Sequence, residues 1–150
     1  MASQYITFMI IFILGLNLVI ITNFMFLTLS DQFRQNIAEV EMTRILNLIQ
    51  RQIQQTILIP TDIDQTIEQQ LELPSLIGDM STYSIEIYNS TDNKLILHGF
   101  SSNGVVNQII AFSMAPKYII TTSESVFDSV NSLLTLSIEK NGNYITITIS

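Results

Sequence analysis

Few side chains in this sequence could do chemistry, and they are scattered. Asp62-Ile63-Asp64 is the one close acidic pair outside the helical stretches and could offer two carboxylates to a divalent cation. It lacks the glycine and the closing bidentate glutamate of a calcium loop, so it reads as a solvated loop. His98 is the single histidine, which excludes any site needing two imidazoles. It stands in no nucleophile motif and reads as a strand-end residue. Cysteine is absent, excluding disulfide frameworks, thiolate zinc sites and cysteine nucleophiles. There is no phosphate loop or nucleophile elbow. The reading is therefore of a non-enzyme with no catalytic, cofactor or metal residues. Asn89-Ser90-Thr91 fits the N-x-[ST] pattern and falls in a turn, making Asn89 a candidate N-glycosylation site if the domain lies outside the cell.

The composition explains why chemistry is sparse. Of 150 residues, 47% are hydrophobic and only 13% charged, the latter about half the usual share for a soluble domain. High hydrophobicity with few charges excludes a disordered chain. The formal net charge of -7 disfavours nucleic acid, whose phosphates need a Lys/Arg surface. It also gives no electrostatic pull toward anionic lipid headgroups. Any contact with lipid has to be hydrophobic.

The apolar residues are concentrated at the start. Residues 1–30 carry no charged side chain, and Tyr5–Leu29 is dominated by Ile, Leu, Phe, Met and Val. As a helix that stretch is about 37 Å long, enough to cross a hydrocarbon core of roughly 30 Å with some tilt. A cleavable secretory signal would need a basic n-region, a shorter apolar core and a small-residue cleavage site. Met1-Ala2-Ser3-Gln4 has no Lys or Arg and Ser30-Asp31-Gln32 is no such site, so retention is expected. Gly15, Asn17, Thr22 and Asn23 interrupt the apolar surface and are the candidate helix-packing or assembly residues. An amide facing lipid leaves its groups unpaired, so Asn17 and Asn23 are expected to meet another helix or local backbone. The flanking Arg34 alone would place the C-terminal domain in the cytoplasm, but the bias is one residue and Asp31 offsets it.

The helix is expected to continue. Residues 31–58 contain no Gly or Pro. Ala38, Met42, Ile45, Ile49, Ile53 and Ile57 recur every three or four residues and form one apolar stripe. Glu41 and Arg44, at i and i+3, can pair on the polar side. Pro60 stops the run, because the residue before it is pushed out of the helical basin. Residues 1–60 thus read as one long helix, apolar all round over about 5–29 and amphipathic over about 31–57. The amphipathic side is expected to lie against the following domain.

After Pro60 the hydrophobic period changes to two. About seven strands are expected in residues 61–150: Thr66–Leu73, Tyr83–Tyr88, Lys94–His98, Val105–Phe112, Lys117–Thr122, Leu133–Glu139 and Tyr144–Ile149. Ile67, Gln69, Leu71 and Leu73 share a face, as do Tyr83, Ile85 and Ile87, and Ile145, Ile147 and Ile149. Turns are expected at Asn89–Asn93, at Ser101–Gly104, near Pro116, and at Lys140-Asn141-Gly142-Asn143, whose Asn-Gly is a strong hairpin signal. The fold class is α+β: a long N-terminal helix followed by a small antiparallel β-sandwich.

That arrangement, with the stretch Leu73-Pro74-Ser75-Leu76-Ile77-Gly78-Asp79 leading to Tyr83-Ser84-Ile85, resembles the archaeal type IV pilin-like superfamily of pilins, archaellins and pilin-like archaellum accessory (stator-type) proteins. The resemblance is architectural and covers essentially the whole chain. It implies a structural subunit or membrane-anchored accessory component, with membrane lipid and other pilin-like subunits as partners through the helix. It further implies cell-envelope proteins as partners of the β-domain, and a location in the cell membrane with that domain extracytoplasmic, or in a surface filament. Prepilins carry a charged processing segment before the apolar run, and Met1-Ala2-Ser3-Gln4 has none, which favours an accessory over a major subunit. A singly anchored β-domain that binds or senses without assembling is the other reading.

Overall fold

A computed structural model of the chain describes residues 2–58, 64–78, 81–90, 94–113, 119–123 and 125–150. Pro60, Asp62, Ile63, Asp79, the turn residues Thr91 to Asn93, Pro116 and the first residues of one expected strand, Lys117 and Tyr118, lie outside them. The chain divides into two compact units, Met1–Arg34 and Gln35–Ser150. One helix, α1 (Ala2–Leu58), supplies the first unit and opens the second. With one glycine and no proline over its length, nothing in the sequence interrupts its hydrogen-bond ladder.

In the first unit, every side chain from Gln4 to Leu29 is exposed. Phe8 is 70% and Leu18 68% accessible, and the apolar window is 0% buried. The helix is long and apolar enough to cross a membrane.

The second unit buries the amphipathic stripe. Met42, Leu46, Ile49 and Ile53 are fully buried, with Ala38, Ile45 and Ile57 nearly so. Each such Ile or Leu contributes about 1.5–3 kcal/mol by leaving water. The eight strands are β1 (Gln65–Glu72), β2 (Tyr83–Asn89), β3 (Lys94–Ser101), β4 (Asn107–Ser113), β5 (Ile119–Thr122), β6 (Ser125–Asp128), β7 (Leu133–Asn141) and β8 (Tyr144–Ile149). They form two four-stranded sheets, ordered β1-β7-β8-β5 and β4-β3-β2-β6. Strict alternation sends Tyr83, Ile85 and Ile87, then Leu95 and Leu97, then Ile145, Ile147 and Ile149 into one core with the helix stripe. The Asn141–Tyr144 pair closes a two-residue loop in which Gly142 takes φ +58°, a conformation glycine adopts without strain.

Two features differ from the sequence-based expectation. Among the described residues the sheets hold eight strands where about seven are expected: β6, four residues long, pairs with β2 between Ser84–Asp128 and Ile87–Ser125. A strand that short gives too few alternations to register as a period. The pairing is also not wholly antiparallel, since β5 runs parallel to β8. The intervening β6 and β7 supply the long crossover a parallel pair needs, which no local turn signal encodes.

Candidate functional site

The polar interruptions of the apolar helix are resolved by its own backbone. Asn17 Nδ2 donates to Ile13 O at 2.8 Å and Asn23 Nδ2 to Val19 O at 3.0 Å. The hydroxyls of Thr22 and Thr28 donate to Leu18 O and Phe24 O at 2.7 and 3.0 Å. All four bonds reach one turn back, the geometry a helix offers to a short polar side chain. In hydrocarbon this matters, because an unsatisfied polar group there costs several kcal/mol. A threonine hydroxyl has spent its single donor, whereas each asparagine amide retains a second N–H and an oxygen. Gly15 has open space around it: an added Cβ meets nothing within 4 Å. Gly15, Asn17, Thr22 and Asn23 thus lie along one exposed helix segment, with the two asparagines about 120° apart around it, on different sides.

In the second unit residues of the Leu73–Gly78 stretch are tied to the helix and to β2. Glu41 Oε2 accepts the Gly78 N–H at 2.7 Å, so the expected Glu41–Arg44 pair is replaced by a carboxylate bound to backbone. Among the described residues Arg44 makes no ion pair. Gly78 has φ +57°, and an Ile77–Ser81 bridge closes the bend around it. Tyr83, wholly buried, donates its hydroxyl to Pro74 O at 2.7 Å, and its N–H goes to Ser129 Oγ at 2.9 Å. Burial pushes the Tyr83 phenol above the ordinary tyrosine range. The helix meets β3 at Gly99, where an added Cβ would collide with Met42 Sδ and sit 3.3 Å from Leu46 Cδ2. Lys140 donates Nζ to Ile57 O at 3.1 Å, and burial lowers its pKa.

His98 is not at a strand end. It sits within β3, directly opposite Glu86 on β2 and Ile109 on β4. Its Nδ1 lies 3.4 Å from Glu86 Oε2 and its Nε2 2.9 Å from Asn107 Oδ1, while Phe100 packs at 5.2 Å between ring centroids. Cross-strand register, which a linear reading of sequence does not contain, brings these together. Both ring nitrogens have polar neighbours, and His98, Glu86 and Asn107 brace β2, β3 and β4 beside a shallow groove of about 360 Å³. A larger groove, about 740 Å³, runs along the amphipathic helix between Val40, Arg44, Leu48, Arg51 and Leu71.

Asp64 Oδ1 accepts the Gly142 N–H at 3.1 Å, a loop-to-loop tie; its expected partner Asp62 lies outside the described residues. Among the described residues no three His, Asp or Glu side chains cluster to hold a metal. Asn89 is exposed, and its Nδ2, the atom that would carry a glycan, donates to Ile120 O at 2.7 Å. No protein-family model, curated protein or solved structure matches the chain.

Proposed function

We propose that the chain is a pilin-like structural subunit, or a membrane-anchored accessory component, of an archaeal surface filament or motility apparatus of the type IV pilus and archaellum kind. One observation carries this reading. A single helix changes character along its length, from apolar and exposed on every side over Tyr5–Leu29 to one buried stripe from Ala38 to Ile57. The first part needs a nonaqueous neighbour; the second is already satisfied by its own domain.

In the membrane, lipid covers residues 5–29. In a filament or complex, other pilin-like helices replace lipid, and packing contacts and polar bonds drive the exchange because hydrophobicity alone favours neither. Asn17 and Asn23 can then lend their remaining amide groups to neighbouring helices, and Gly15 lets one approach closely. The β-domain lies outside the cytoplasm and meets cell-envelope proteins. Nucleic acid is no partner, no cofactor is used and the chain is not an enzyme.

The second reading, an anchored β-domain that binds or senses without assembling, is favoured by the bonds of Asn17, Thr22 and Asn23 to their own backbone. Such bonds let polar residues sit in lipid without a partner helix. Replacing Tyr5–Leu29 by a scrambled, equally hydrophobic sequence separates the two. Assembly requires that the scrambled chain still enters membranes but no longer enters filaments or complexes, as judged by electron microscopy and co-purification. Unchanged assembly would leave only the anchor.

A further inference from the structure

An open sheet edge presents unpaired N–H and C=O groups to any passing strand, and proteins blunt such edges with charge, brevity or covering groups. The second unit has four edges: β1, β5, β4 and β6. Strand β1 carries exposed Glu68 and Glu72. Strands β5 and β6 are four residues each; Asn89 takes the Ile120 carbonyl of β5, and β6 ends in Asp128. Strand β4, Asn107-Gln108-Ile109-Ile110-Ala111-Phe112-Ser113, is seven residues long with no charge and no proline.

The direction of its free groups follows from register. Ser101 N donates to Val106 O at 3.0 Å, which makes Ser101–Val106 a hydrogen-bonded pair of the β3–β4 ladder. Such pairs alternate along antiparallel strands. Gln108, Ile110 and Phe112 therefore bond to β3, and Asn107, Ile109, Ala111 and Ser113 turn their backbone groups outward. Among the described residues none bonds to those outward groups. Ile109 on this edge is 58% exposed.

We infer that β4 pairs antiparallel with β4 of a second copy of this chain, joining two four-stranded sheets across a two-fold axis at Ile110. The strand is self-complementary about that residue. Ile109 then faces the copy's Ala111 and Asn107 its Ser113 on the outer side; Gln108 faces Phe112 on the core side. None of the chain's net charge of -7 lies on the strand, so no like charges oppose one another along it. Centring at Ile110 also satisfies all outward groups, giving about eight ladder hydrogen bonds. An isologous contact of this kind closes at two copies, unlike the open-ended contacts proposed for the apolar helix, and it does not depend on them.

The test uses the full chain in detergent micelles, with oligomeric state read by light scattering. The pair Ile109→Lys with Ala111→Lys opposes like charges across the axis at exposed positions. The pair Ile109→Glu with Ala111→Lys opposes unlike charges there. The expected result is a dimer for the parent and for the unlike pair, and dimerisation weakened about tenfold or more for the like pair, roughly the effect of 1.4 kcal/mol. Because the chain has no cysteine, Ile110→Cys should cross-link to its own copy on oxidation, the opposed α-carbons being about 4.5 Å apart. Ser137→Cys, inside the other sheet, should not. A monomeric parent, equal dimerisation of both charge pairs, or Ile110→Cys cross-linking only to a different protein would each overturn the inference.

Discussion

The two halves of α1 obey the same backbone rules and opposite side-chain rules. Gln4–Leu29 and Gln35–Leu58 have the same hydrogen-bond ladder and no proline. In the first, large apolar residues such as Phe8, Leu16 and Phe26 stand exposed; in the second, Leu46, Ile49 and Ile53 are fully buried. Two glycines make the same contrast. Gly15 has room on every side, while Gly99 is a glycine because Met42 and Leu46 occupy the space its side chain would need. Helix formation alone thus says nothing about what a helix is for; the distribution of apolar residues around it does.

Substitutions in the two halves should therefore diverge. The largest effect is expected for Ile49→Ala, which opens a cavity at a fully buried position and should cost about 2–5 kcal/mol in urea unfolding of the β-domain signal. Leu18→Ala, at an exposed site, should leave that unfolding curve where it was. Placing charge in the first half reverses the pattern: Leu18→Asp should leave β-domain stability unchanged but oppose membrane insertion by about 3 kcal/mol, read as chain lost from carbonate-washed membranes. Equal loss of β-domain stability in both would remove the distinction between the halves.

Smaller substitutions sharpen it. Gly99→Ala forces Met42 to move and should cost about 1–3 kcal/mol, whereas Gly15→Ala should raise helicity slightly by circular dichroism. A smaller loss is expected for Tyr83→Phe, which gives up the hydroxyl bond to Pro74 O and should cost about 1 kcal/mol at neutral pH. Its pH profile carries a sign. Burial raises the folded phenol above the unfolded value near 10, so the folded state holds its proton longer and stability falls as pH rises past about 10. That alkaline loss should shrink in Tyr83→Phe.

Much of this architecture is legible in the sequence because it is written in period. The stripe from Ala38 to Ile57, the inner faces of β2 and β8 and the hairpin at Asn141-Gly142 are local patterns, and each is found where its spacing places it. What depends on long-range register is not legible there. Glu41 has an arginine three residues away, yet its carboxylate goes to the N–H of Gly78, a residue distant in sequence. His98 meets Glu86 and Asn107 only because three strands align. The polar positions of the apolar helix can be named from sequence, but not that Asn17, Thr22 and Asn23 turn back to their own carbonyls.

The bond from Lys140 to the Ile57 carbonyl gives the second unit a built-in reporter. A primary amine buried there is shielded from acylating reagents. Amine labelling followed by mass spectrometry would thus time the departure of the helix end from β7, because Lys140 reacts only in molecules where that end has come loose.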